Sequence, residues 1–132
     1  MTDFTIYLVI NLKKAKNIEA LKSLMKDGAY NSNCTTEYFS HETEGKNCEI
    51  IKNNIVYAVE FNNIVDLLNY IVYIKTFEKI EIESVYDNNE IIYGSKNYIK
   101  SLDQNMINPE IIKQKINKNK LLSQYKKIYN LL

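Results

Sequence analysis

A strict alternation at the start of the chain narrows the fold more than any other feature. Phe4, Ile6, Leu8, Ile10 and Leu12 alternate with Thr5, Tyr7, Val9 and Asn11. A period of two puts all five apolar side chains on one face of a strand, and no helix can use that spacing. The period then changes. Ile18, Leu21, Leu24 and Met25 recur at helical spacing, Asn17 suits the N-cap, and Gly28 suits a C-terminal stop. A strand followed at once by an amphipathic helix is the first half of a layered sheet-and-helix fold.

The rest of the chain repeats these two periods. Residues 35 to 43 read as a strand, closed by a turn at Glu44 to Asn47. "CEII" leads to a second polar turn and then to "IVYAVEF", with Ile55, Tyr57, Val59 and Phe61 on one side. Residues 48 to 61 read as one bent strand or as a hairpin through the asparagine pair. Asn62 or Asn63 caps a helix over 64 to 75 that is apolar on most sides. In "KIEIESVY", Ile80 and Ile82 point inward and Glu81 and Glu83 outward. Asp87 to Asn89 turns the chain into a short strand ending at Tyr93. A short helix follows over 95 to 103, and Asn108 with Pro109 opens a last helical region. The element order over about residues 4 to 86 matches a ferredoxin-like split β-α-β. The expected architecture is one α+β domain over 1–132. It has an antiparallel sheet with helices on one face (core 4–93) and a C-terminal helical extension over 95–132.

Composition excludes several functions. All 17 basic residues are lysine, so the bidentate arginine contacts to phosphate or guanine are missing. The formal net charge is +1, which steers the chain toward neither nucleic acid nor an anionic membrane. The charge is nonetheless uneven. Residues 109 to 132 hold six Lys and one Glu, whereas the first 108 hold eleven Lys against fifteen acidic residues. No apolar run approaches the roughly 20 residues that span a bilayer, and the opening "MTDFTIYLVINLKK" reads as a strand rather than a signal peptide. Two cysteines are too few for a disulfide framework, so a reducing, cytoplasmic compartment is expected.

Catalytic motifs are sparse. Gly94-Ser95-Lys96 offers one glycine where a phosphate loop needs several, so it reads as a strand end with a helix cap at Ser95. His41 is the single histidine, and it lies near Cys48 if the strands around 44 to 47 pair. Glu37, Glu42, Glu60, Glu81 and Glu83 fall on strands, and alternating glutamates usually mark a wet face. Neither pattern predicts a metal or cofactor, although a small hydrolase using them stands as an alternative. On the sheet's open face Tyr7 could stack a base, but the glutamates there would repel phosphate.

The tail offers surfaces instead. Leu121, Leu122, Tyr125, Ile128, Tyr129 and Leu132 form an amphipathic stripe for a protein partner or a second copy of the chain. The asparagines at 117 and 119 predict a break or kink before it. Lys113, Lys120 and Lys127 recur every seven residues along one expected ridge. They supply the alternative, nucleic-acid binding. The reading is a non-enzymatic binding or assembly protein that self-associates as a homodimer, through a strand edge or the terminal helix.

The segment "NNEIIYGSKNYIKSLDQNMINPEIIKQKI" resembles the tails of small uncharacterised proteins of mimivirus-like giant DNA viruses. Those share an Asn/Ile/Lys/Tyr-rich composition and an "IY-small-S-x-x-Y-[IL]" turn before a C-terminal helix. The resemblance covers about the last third of the chain and transfers no catalytic residue. It implies a viral protein of the host cytoplasm or virion.

Overall fold

The computed structural model describes residues 3–11, 15–40, 54–103 and 108–132. Chain order runs β1 (Phe4–Asn11), α1 (Ile18–Asn31), β2 (Thr36–Ser40), β3 (Asn54–Phe61), α2 (Ile64–Ile74), β4 (Ile80–Asp87), β5 (Glu90–Gly94), α3 (Lys96–Asp103), α4 (Pro109–Lys120) and α5 (Lys126–Leu131). A 3₁₀ turn at Ser123–Tyr125 precedes α5. The five strands form one sheet in the order β2-β3-β1-β4-β5, and every neighbouring pair is antiparallel. The α+β class and the antiparallel sheet are as the periodicities predict.

The alternation in β1 does what it implies. Phe4, Ile6, Leu8 and Ile10 are buried and the residues between them half-buried. They pack with Ile55, Tyr57, Val59 and Phe61 of β3 and Ile80, Ile82 and Val85 of β4. Met25 and Ala29 of α1, Leu67, Tyr70, Ile71 and Ile74 of α2, Ile92 of β5, Tyr125, and Ile128 of α5 complete this core. Each such side chain removed from water contributes about 1.5–3 kcal/mol. Three helices therefore cover one face of the sheet, with α2 touching both α1 and α5.

Two helices of the C-terminal extension do not share that face. Tyr98 and Leu102 of α3 and Ile116 of α4 form a separate cluster with Ile91 on the opposite face. The chain then passes around the β5 edge to reach α5. Asn119 marks the crossing, because its amide donates to the Ile91 carbonyl at 2.9 Å. That bond satisfies a group an edge strand otherwise leaves open. The predicted break at 117–119 is absent for the same reason: α4 runs through to Lys120, and the chain turns at Leu121 and Leu122.

Two glycines serve close packing rather than chain reversal. A Cβ on Gly28 would lie 2.3 Å from the Tyr73 ring, so Gly28 sits inside α1 where α2 presses against it, and the helix continues to Asn31. A Cβ on Gly94 would lie 2.5 Å from the Tyr98 ring. The left-handed positions go to Asn33 after α1 (φ 59°) and Asn88 in the β4–β5 turn (φ 54°). Asparagine tolerates that region better than other residues with a Cβ.

Candidate functional site

Register places a line of tyrosines on the sheet face away from α1 and α2. Tyr38, Ala58, Tyr7, Ser84 and Gly94 lie side by side across the five strands. Thr36, Glu60, Thr5, Tyr86 and Ile91 form the next row. Small residues separate the rings and leave them room. The Tyr38 hydroxyl donates to that of Tyr7 at 3.3 Å. Tyr7 and Tyr86 meet nearly edge to face, with centroids 5.4 Å apart and planes at 68°. Tyr86 and Tyr98 share a hydroxyl–hydroxyl bond of 3.2 Å. Burial, then the Tyr7 hydroxyl, raises the Tyr38 pKa, and the Glu60 charge adds to the rise. Burial is also the first cause for Tyr86, followed by Tyr98.

A bulge creates this face. The β1–β4 register shifts between Tyr7 and Leu8, so that Leu8 faces Ile82, Tyr7 faces Ser84, and Glu83 is left between. Beyond the bulge Val85 and Asp87 point into the helical core, and Tyr86 turns outward. Glu83, expected to be solvated, is instead buried at 7% exposure. Burial, and next the neighbouring Glu81 charge, hold its carboxyl up to about 7. Asp87 is buried too, and accepts from the Tyr125 hydroxyl at 2.7 Å. That bond ties the tail to the sheet; burial and the bond to Asp87 push the Tyr125 hydroxyl up to about 12.

A depression of about 420 Å³ opens beside Tyr7 and Tyr86, the middle pair of the tyrosine line. Asp3, Thr5, Tyr7, Glu60, Tyr86, Asn88 and Asn89 line it. The Asn88 backbone N–H donates to the Asp3 carbonyl at 2.7 Å, which holds the β4–β5 turn against the start of β1.

The tail residues divide. Tyr125 and Ile128 are buried against the chain's own core, and Tyr129 and Leu132 pack on it half-buried. Leu121 is 81% exposed and Leu122 lies beside it at the surface. The lysine ridge is not continuous, because Lys113 and Lys120 lie on α4 and Lys127 on α5. Lys113 is held by Asp103 at 2.7 Å and Glu110 at 3.6 Å, and Lys120 lies over the Tyr129 ring at 6.0 Å. Gly94 and Ser95 carry the helix start: Ser95 Oγ accepts from the Tyr98 N–H at 3.1 Å. His41, Glu42 and Cys48 lie outside the described residues. Cys34 is half-buried, and desolvation, then the Glu37 charge, raise its thiol pKa. Among the described residues no group of three or more His, Cys, Asp or Glu stands close enough to hold a metal. No helix among them is long and apolar enough to cross a membrane. No protein-family model, curated protein or solved structure matches the chain.

Sequence reasoning found Tyr7 on this face but missed Tyr38, Tyr86 and Tyr98. Their alignment depends on the bulge and on the small residues Ala58, Ser84 and Gly94, whose meaning appears only once register is known.

A second surface lies on α2. Val65 and Val72 are 61% and 53% exposed, seven residues apart, with half-buried Leu68 between them. Asp66 is the single charged residue from Ile64 to Ile74. Its carboxylate accepts from the Asn33 side-chain amide at 3.5 Å and also from that of Asn63.

Proposed function

We propose that the protein is a non-enzymatic binding or assembly protein that pairs with a second copy of itself through the outer surface of α2. The exposed Val65–Leu68–Val72 ridge carries this reading. A middle helix in a three-helix layer ordinarily presents polar residues outward. This one presents Val65 and Val72 on either side of an exposed but uncharged Asn69, and its one carboxylate is already hydrogen-bonded within the chain. An uncharged apolar ridge is complementary to itself, which suits a two-fold interface. The buried tail residues Tyr125 and Ile128 support α2 from the inside, while Leu121 extends the exposed apolar surface elsewhere.

The order β2-β3-β1-β4, with α1 and α2 as the crossovers, supports a ferredoxin-like reading of the first four strands, with β5 and the tail added to it. The resemblance of the tail to giant-virus proteins would place such a dimer in a host cytoplasm or virion. Light scattering tests the proposal. The wild type should give a dimer mass at micromolar concentration, and Val65→Lys with Val72→Lys a monomer mass at unchanged helicity. A wild type that stays monomeric at every concentration rejects it.

A further inference from the structure

We propose that the depression between Asp3, Tyr7, Glu60 and Tyr86 binds an alkylammonium group. Three features coincide there. Its volume of about 420 Å³ admits an amine and part of its carbon chain. Two carboxylates, Asp3 and Glu60, line it with no lysine, and among the described residues neither forms an ion pair. Tyr7 and Tyr86 also line it, with their rings in edge-to-face contact at 68°. Ring faces carry negative electrostatic potential, and angled rings are how aromatic cages surround an ammonium.

The surrounding structure holds these groups in place. Glu60 stands opposite Thr5 on β1 and Thr36 on β2, so its backbone is fixed by pairing on both sides. Tyr7 is held by the Tyr38 hydroxyl and Tyr86 by that of Tyr98. Asp3 and Asn88 bond reciprocally, the Asp3 N–H donating to Asn88 Oδ1 at 3.3 Å. A cation entering the depression meets rings already held by their hydroxyl bonds, so only the two carboxylates need to be ordered on binding. An anion meets two carboxylates and is repelled. Asn88 and Asn89 at the rim add amide groups that a peptide backbone can use.

The ammonium group can come from a free amine or from a lysine side chain, and the probes separate these sources. Amide spectra of the full chain are recorded during titration with n-butylammonium chloride, with the neutral isostere 1-butanol, and with the capped tripeptide Gly-Lys-Gly. The expected result is saturable shifts at Thr5, Tyr7, Glu60 and Tyr86 with butylammonium and none with butanol. Asp3→Asn with Glu60→Gln should weaken binding at least tenfold while leaving the remaining spectrum in place. A tripeptide at least fivefold tighter than butylammonium assigns the site to a lysine of a polypeptide; equal affinity assigns it to a free amine. Equal shifts with butanol, or unchanged binding by the double variant, overturns the proposal. Because α2 lies on the other face, this result is independent of the dimer.

Discussion

The two faces of the sheet use the same strands for opposite ends. Facing the helices, Phe4, Ile6, Leu8 and Ile10 meet α1, α2 and α5 and are almost wholly removed from water. On the other face Thr5, Tyr7, Glu60 and Tyr86 stay half-exposed and are joined by hydroxyls and ring edges. The first face is held by apolar area, which tolerates no gap. The second combines a smaller apolar cluster under α3 and α4 with individual hydroxyl bonds, each worth about 1 kcal/mol. Stability belongs to the first face, and chemical variety to the second.

Substitutions at contrasting depth have the largest expected effects. Leu8→Ala on the helical face should cost about 2–5 kcal/mol, read as the loss in urea unfolding free energy. Ile128→Ala should cost a similar amount, since Ile128 is at 0% exposure, whereas Leu121→Ala should stay within about 0.5 kcal/mol. Equal effects at 121 and 128 would mean that the tail does not pack as described.

Glu83 sharpens the contrast through pH. Its folded-state pKa of about 7 lies above the ordinary value of 4.5. Between those values the folded chain keeps the proton and the unfolded chain has lost it. Stability therefore falls as pH rises through that window, by up to about 3 kcal/mol, and levels off above it. Glu83→Gln should remove this fall and be the more stable protein at pH 8. Thermal melts from pH 4 to 8 read both effects, and parallel profiles for the two proteins would contradict the buried carboxylate.

Smaller effects belong to the polar face and its edge. Asn119→Ala should cost about 1 kcal/mol and speed amide exchange in β5, by freeing the Ile91 carbonyl. Tyr38→Phe removes one exposed hydroxyl bond and should cost well under 1 kcal/mol.

Much of the first face is legible in the sequence, because alternation and helical spacing report burial directly. Phe4 to Ile10, Ile55 to Phe61, and Ile80 with Ile82 all point where the pattern says. The second face is hidden for a physical reason. One extra residue in β4 reverses the direction of every side chain after it, and no composition signal marks Glu83 as that residue. Asn119 misleads in the same way: it is a poor helix former, kept where its side chain can reach an edge strand. Gly28 reads as a helix stop, yet it lies inside α1 with the Tyr73 ring against it; Gly94 does end β5, and it also makes room for the Tyr98 ring.

The most direct test of the function is a dilution series of methyl spectra. If α2 is the contact between copies, the signals of Val65, Leu68 and Val72 shift with concentration, while those of Val9 and Ala58 on the other face stay fixed. Shifts centred on the tyrosine face, or none at any concentration, would contradict pairing through α2.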